Sequence, residues 1–315
     1  VTRHLAIVGA TASGKSALAL AVAEAGDAEI VSLDSMQVYR GMDIGTAKPT
    51  LAERRRVPHH LIDVADPSDE WSVRATQGAA HDAIADIERR GRRAVLVGGT
   101  GLYVRAVVDA LAVPGTDAAV RAALEAHTAT ADGLVDAYRQ LRARDPRAAA
   151  RIEPSNRRRI VRALEVIELT ARPFSSFGAG LTEYGPPTLD VTLVGIALAR
   201  DDIAARIARR FASMRDAGLV EEVRALAANP RSLSRTARQA IGYKELLAHL
   251  SGEIATVDDA LELAVRRTRK FARRQRVWFR RDPRITWLPA GGNSPELAHA
   301  VLARWQPAAR AVPAS

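Results

Sequence analysis

Short apolar runs separated by polar stretches frame the first hundred residues. Residues 4–8 (His-Leu-Ala-Ile-Val), 29–33 (Glu-Ile-Val-Ser-Leu) and 93–97 (Arg-Ala-Val-Leu-Val) each read as a buried strand. Leu18 and Val22, four residues apart, predict a helix over about Lys15–Ala25, and Trp71 opens another that runs to about Arg90. Alternation of strands and helices predicts an α/β fold: a parallel sheet with helices on both faces.

The pattern changes near Pro114. From there to Gly185-Pro186-Pro187 only helical periodicity is visible, and residues 190–198 then resume a strand. The expected organisation is a core over 1–112, a helical insertion over 113–188, the second part of the core over 189–306, mainly helical after residue 200, and a frayed tail over 307–315. The longest apolar stretch, Val191 to Ala199, is interrupted by Thr192 and Gly195 and is too short to span a bilayer. No signal-peptide pattern precedes the first strand, so the expectation is a cytoplasmic protein without membrane contact. Of 315 residues 47% are hydrophobic and 26% charged, an ordinary globular balance. The absence of cysteine excludes disulfides, thiolate zinc sites and thiol redox chemistry. Nothing in the pattern demands a dimer; a monomer is compatible with it, and the oligomeric state is not readable from sequence.

Between the first strand and the first helix lies Gly9-Ala10-Thr11-Ala12-Ser13-Gly14-Lys15-Ser16, which matches G-x-x-x-x-G-K-[S/T] in the context that motif requires. Glycines let the backbone wrap so that successive N–H groups point at an anion, and the helix N-terminus adds partial positive charge. Lys15 would reach the terminal phosphates, and the Ser16 hydroxyl would ligate Mg²⁺. The motif calls for a polyphosphate without saying whether a nucleotide carries it.

Asp34 follows the second strand. It reads as a Mg²⁺ ligand, as a base beside the phosphate site, or as the N-cap of a turn begun by Asp34-Ser35. Gly98-Gly99-Thr100 closes the third strand at the same sheet edge, where glycines allow close approach and Thr100 offers a hydroxyl.

The net charge of +10 comes from 46 basic residues, of which only Lys15, Lys48, Lys244 and Lys270 are lysine. Arginine on that scale fits a compositional bias, so position matters more than sum. Residues 266–284 hold nearly the whole excess. Leu261, Val265, Ala272 and Phe279 fall on one side of a helix there, and Arg266, Arg269, Arg273, Arg276 and Arg280 on another. Such a stripe matches a phosphate backbone, or else is a solvated face. A second cluster, Arg157-Arg158-Arg159 with Arg162, opens a helix whose seam is Ile160, Leu164 and Ile167. Two basic helices beside one phosphate loop point to a nucleic-acid substrate.

On these residues the chain resembles the bacterial tRNA dimethylallyltransferases (tRNA isopentenyltransferases). The resemblance rests on the phosphate loop, on Asp34-Ser35-Met36-Gln37-Val38-Tyr39, on Gly41 through Pro49, on Pro58-His59-His60-Leu61-Ile62-Asp63 and on Gly98 through Tyr103. It continues through Arg162-Ala163-Leu164-Glu165-Val166, Glu222 through Leu226, Ile241-Gly242-Tyr243 and Arg273 through Arg280. It implies a P-loop NTPase-like parallel sheet core with a helical insertion domain that closes over the anticodon stem-loop. The implied reaction transfers a dimethylallyl group from dimethylallyl diphosphate to N6 of the adenosine at position 37 of tRNA, with Mg²⁺. The phosphate loop would hold the prenyl diphosphate rather than ATP. Asp34 matches the general base, and Thr100 and Arg224 match residues around the scissile oxygen. Implied tRNA contacts are Asp34, Ser35, Met36, Gln37, Thr100, Arg121, Arg158, Arg159 and Arg162, with Arg273, Arg274, Gln275, Arg276, Trp278 and Arg280. Two other classes share parts of the pattern: a nucleoside or small-molecule kinase with ATP on the loop, and an RNA-binding NTPase switch that leaves the RNA unmodified.

Overall fold

The computed structural model describes residues 3–178, 183–290 and 294–305. β1 (His4–Val8) leads into α1 (Lys15–Ala25) and β2 (Ala28–Ser32). Then come α2 (Leu51–Arg56), β3 (His59–His60), α3 (Val73–Arg89), β4 (Arg93–Gly98) and α4 (Gly101–Val108). Five helices follow: α5 (Ala118–His127), α6 (Ala131–Arg144), α7 (Pro146–Ala149), α8 (Arg157–Thr170) and α9 (Ser175–Gly178). The core resumes with β5 (Val191–Ala197), α10 (Arg200–Asp216), α11 (Leu219–Ala227), α12 (Tyr243–Leu250), α13 (Val257–Phe279), β6 (Thr286–Pro289) and α14 (Ser294–Trp305).

The six strands form one parallel sheet in the order β3-β2-β4-β1-β5-β6. Every residue of β1 and β2 is buried, because both faces are covered. Alternation sorts their side chains. Leu5, Ile7 and Ile30 join Leu18 and Val22 of α1 and Val301 and Trp305 of α14 on one face. Ala6, Val8 and Val31 join Ile84 and Ile87 of α3 and Val104 and Val107 of α4 on the other. A further core unites α10 to α13 with Val38, Tyr39 and Met42.

The register fixes the working edge. Val8 pairs with Gly98 and with Gly195, and Ser32 pairs with Val97. The loops after β1, β2 and β4 therefore leave the sheet side by side. β1 is also where the strand order reverses, and open α/β sheets bind ligands at such a crevice.

Residues Leu111–Pro186 form a compact unit of their own, apart from the sheet-bearing remainder. Its core includes Leu141, Ile160, Leu164 and Ile167. Glu165 of α8 is fully buried in it and accepts from the Arg121 Nε at 3.1 Å, from Arg162 Nη1 at 2.7 Å and from the Asp117 N–H at 3.2 Å. Burial pushes the Glu165 carboxyl up, but the two guanidinium groups outweigh it and hold the pKa below the usual value. Arg162 also donates to the Pro114 and Gly115 carbonyls. Replacing both arginines by alanine leaves a buried unpaired carboxylate and should destabilise this unit by about 3–5 kcal/mol. Urea melts and amide exchange of the full chain check it. Because the native pKa is lowered, the stabilisation is present at neutral pH and fades as pH falls through the native value.

Three expectations are corrected. The polar stretch at His59-His60 contains β3, a two-residue edge strand held by Ile30 and Val31. A sixth strand, β6, follows the basic run, where only Leu288 is buried and Pro289 closes an edge. The basic helix stops at Phe279, so Arg280 caps it and Arg281 and Arg284 lie beyond. The tail expected over 307–315 lies outside the described residues.

Candidate active site

The loop from Gly9 to Ser16 turns sharply between β1 and α1. Gly14, the N-cap of α1, has φ +92° and Ala12 has φ +62°, both in the left-handed region. The Ser13 N–H donates to the Ala10 carbonyl at 3.2 Å, closing the turn. The first-turn N–H groups of Lys15, Ser16 and Ala17 have no acceptor within the helix, so they are available to an anion. The Ser13 hydroxyl is buried and lacks a hydrogen-bond partner. Buried hydroxyls are ordinarily bonded, so this one is available to a ligand oxygen entering the loop.

Cations converge on this loop from two helices. Lys15 Nζ lies 3.5 Å from the Ala10 carbonyl oxygen. Burial pushes its pKa down to about 8, opposed by the charge of Asp34 and reinforced by that of Arg210. Arg210 of α10 approaches the Thr11 hydroxyl at 3.4 Å, and the Arg206 guanidinium one turn earlier lies beside Gly14. Burial lowers the Arg210 pKa, opposed by Asp34. Both arginines escaped the sequence reading. Their signal was the i, i+4 spacing of Arg206 and Arg210 next to the buried seam Ile203, Ile207 and Phe211. That spacing places them at the border of the packed face.

Asp34 leaves the end of β2 half-buried and faces these cations. Its Oδ1 accepts the Met36 N–H at 2.8 Å, a turn that orients the carboxylate. Its charge also helps to raise the Tyr103 pKa to about 12, after the larger effect of burial. Thr100 is the N-cap of α4, yet its side chain makes no capping bond. The hydroxyl at the edge of β4 is thus left for another partner. Gly99 precedes Thr100: a Cβ there would stand 2.7 Å from Gln275 Nε2 and 3.3 Å from Lys15 Nζ, so a side chain would displace the ends of both.

The segment from Asp34 to Pro49 is a scaffold. Gln37 donates to the Thr46 and Ala47 carbonyls at 3.2 and 3.1 Å and accepts from Ser32 Oγ at 3.0 Å. Lys48 donates to the Tyr39 carbonyl at 2.7 Å and pairs with Asp43 and Asp63. Glu222 of α11 accepts the N–H groups of Asp43 and Ile44 at 2.9 and 2.8 Å, together with the Tyr243 hydroxyl. Glu222 is a third residue whose role the sequence reading missed.

Several expected positions fall elsewhere. Gln37 is committed to this scaffold, so its side chain is not a free RNA contact. Arg121 and Arg162 neutralise Glu165 rather than forming a free cationic face. Gln275 is 6% exposed and accepts the Thr11 N–H at 2.8 Å, so it faces the phosphate loop. Trp278 is half-buried and packs directly on Gly101. Arg224 is 55% exposed on α11, and its ion pair is with Glu221 at 3.4 Å, not with the loop. The structure does bring together the loop, Asp34 and Gly99-Thr100. Ser35 and Met36 sit half-buried beside Asp34.

The basic stripe on α13 persists in shortened form. Arg267 pairs with buried Glu245, and Arg284 with Asp109 and Asp282. Arg269, Arg273, Arg274 and Arg280 are exposed and Arg276 half-buried. These five make no ion pair among the described residues, and the charges of Arg200 and Arg280 bear on Arg276. On α8, Arg157, Arg158 and Arg159 are likewise exposed. No group of three or more His, Asp or Glu side chains among the described residues could hold a metal. No helix there is long and apolar enough to cross a membrane.

Comparison with known proteins gives a consistent set of likenesses. Residues 37–282 match the IPP transferase family, and residues 2–65 match the isopentenyl transferase family. The tRNA dimethylallyltransferase of Salinispora arenicola is 53% identical over 92% of this chain and 83% of its own. That of Geobacter metallireducens is 48% identical over 96% of this chain and 97% of its own. Among solved structures, the tRNA isopentenylpyrophosphate transferase of Bacillus halodurans is similar with a TM-score of 0.70 at 37% identity, covering 98% of both chains. A eukaryotic dimethylallyltransferase acting on tRNA gives a TM-score of 0.73 at 27% identity, over 92% of this chain and 74% of that one.

Proposed function

Because the chain belongs to the IPP transferase family, we propose that it transfers a dimethylallyl group from dimethylallyl diphosphate to N6 of adenosine 37 in the anticodon stem-loop of tRNA. Diphosphate is the other product. The observation that carries this reading is the convergence of the phosphate loop, Arg210 and Asp34 at one sheet edge. A kinase reading would need a site for the adenine of ATP, and the 34–49 segment, packed on Glu222, belongs instead to the matched family.

Allylic diphosphates ionise readily because the cation is resonance-stabilised, so the protein's main work is to stabilise charge on the leaving group. Lys15, Arg210, Arg206 and the first-turn N–H groups of α1 do this from fixed positions. The Thr100 hydroxyl, unspent as a cap, donates near the bridging oxygen. Arg224 belongs to this group only if its side chain turns from Glu221 towards the substrate. Adenine N6 is a weak nucleophile, since its lone pair is delocalised into the ring, and Asp34 accepts its proton as attack proceeds. The base must leave its stack to reach the carbon.

Mg²⁺ fits as a diphosphate-bound ion. Ser16 is exposed at the head of α1, so its hydroxyl would be available to ligate an ion whose other ligands are phosphate oxygens and water. When bound there, it supplies charge neutralisation for the departing diphosphate. Acting on tRNA, it would work in the cytoplasm.

The deciding experiment incubates purified protein with tRNA and dimethylallyl diphosphate, digests the RNA and examines adenosine by mass spectrometry. An added C5H8 unit on adenosine supports the reading; ATP turnover with unmodified RNA refutes it. Replacing Arg273, Arg276 and Arg280 together by glutamine should weaken tRNA binding similarly for all tRNA sequences. It should also reduce the salt slope by up to about 2–3, roughly one per lost phosphate contact. Filter binding at several salt concentrations measures both.

A further inference from the structure

The helix that carries the cationic stripe also sends an uncharged amide side chain inward. Gln275 is buried, and its Oε1 accepts the Thr11 N–H at 2.8 Å across 264 positions of sequence. Its Nε2 lies 2.7 Å from the point where a Cβ on Gly99 would stand, and Lys15 Nζ lies 3.3 Å from that same point. The peptide between Ala10 and Thr11 is consequently held at both ends. Its N–H is taken by Gln275, and its carbonyl accepts the Ser13 N–H and faces Lys15 Nζ. Thr11 is further restrained through its hydroxyl by Arg210.

The geometry points to Gln275 as a positioning residue for the diphosphate cradle: it fixes the Ala10–Thr11 peptide, and through that peptide the turn and the lysine that receive the anion. This deepens the proposed function and rests on the phosphate loop binding diphosphate. The physical argument is one of satisfaction. A backbone N–H turned away from solvent needs an acceptor, and for Thr11 the acceptor is the Gln275 amide oxygen. With Gln275 present, the carbonyl of the same peptide stays turned towards Ser13 and Lys15. Without it, the peptide can rotate, and a carbonyl oxygen aimed at the cradle would repel a diphosphate. Gln275 touches no reacting atom in this scheme. Its neighbours Arg273, Arg274 and Arg276 lie on the outward side of the same turn, so RNA binding and anion binding separate by helix face.

The test uses the full chain with Gln275→Met, which keeps the volume and removes the strong acceptor. Calorimetry with inorganic pyrophosphate, with and without Mg²⁺, reads the cradle, and filter binding reads tRNA. Expected are a loss of about tenfold in pyrophosphate affinity, the scale of an orphaned backbone donor, and a matching rise in KM for dimethylallyl diphosphate. The tRNA Kd and the KM for tRNA stay within about twofold. If the unsubstituted protein does not bind pyrophosphate, the loop reading fails and this inference with it. If the unsubstituted protein binds and Gln275→Met binds equally well, the inference alone fails. Loss of tRNA affinity with pyrophosphate binding unchanged would make Gln275 an RNA contact, and an equal fall in both would mark a general packing defect; either overturns the proposal. Should Gln275→Met fail to fold, Gln275→Glu preserves an acceptor for Thr11 and places a negative charge beside Lys15. It should then weaken pyrophosphate selectively, and a selective loss of tRNA would again refute the claim.

Discussion

Replacing Asp34 by asparagine should slow single-turnover prenyl transfer by roughly 10²–10⁴-fold, the usual worth of a positioned general base. The tRNA Kd should stay within about twofold. Asparagine is the informative choice because Asp34 has two tasks. Oδ1 accepts the Met36 N–H at 2.8 Å and the Gln37 N–H at 3.4 Å, which shapes the start of the 34–49 segment. An asparagine carbonyl oxygen keeps that turn but cannot take a proton from N6. Alanine removes both functions, so a greater loss for Asp34→Ala than for Asp34→Asn measures the share owed to the turn. Rapid-quench assays with saturating tRNA separate the chemical step from binding and release. An undiminished single-turnover rate in Asp34→Asn would remove the base role, and with it the reason for a carboxylate facing Lys15 and Arg210.

The parts of this site that are continuous in sequence were legible; the parts assembled by packing were not. The phosphate loop announces itself because its glycines, lysine and serine are local requirements of one turn. Asp34 and Gly99-Thr100 were readable as residues at the carboxyl ends of strands, and the parallel register brings those ends together. Arg206 and Arg210 were not readable, since nothing before the packing of α10 says which of its many arginines turn towards the loop. The same ambiguity hid the pairing of Arg121 and Arg162 with a buried carboxylate. In a chain with so many arginines a cluster resembles a nucleic-acid face, but a buried carboxylate one turn along the same helix, within reach of a neighbouring helix, can claim the charge. Glu165 was present in the sequence as a polar residue inside the apolar seam of α8, and that break in periodicity was the available signal. Gln275 follows the same logic: an uncharged polar residue on the inner face of α13, between Ala272 and Phe279, had to find a partner inside. The small strands β3 and β6 escaped because two or four residues at a sheet edge bury too little to leave a hydrophobic pattern.

Replacing Lys15 by methionine should lower kcat for prenyl transfer by about 10²–10³-fold, the effect of removing one preorganised donor from developing anionic charge. The pH dependence identifies the lysine directly. Its pKa is pushed down to about 8 by burial, against the pull of Asp34 and with the help of Arg210. Only the protonated amine attracts a diphosphate, and a bound diphosphate in turn favours the proton. Below pH 8 the ammonium is already formed and affinity owes nothing to proton uptake. Above pH 8 binding must first restore the proton, so affinity for dimethylallyl diphosphate should fall, by at most about tenfold per pH unit from this one group. Lys15→Arg supplies the control, because a guanidinium does not titrate in this range. Its affinity is lower where geometry matters, but the decline between pH 8 and 9.5 should disappear. Calorimetric titrations over pH 7 to 9.5 read both profiles. A decline that persists unchanged in Lys15→Arg would assign the titration to another group and would detach Lys15 from the leaving diphosphate. A flat profile in the unsubstituted protein would mean that Asp34 and the loop carbonyl hold the amine charged throughout, and the burial that crowds Lys15 against Gly99 would then carry no consequence for binding.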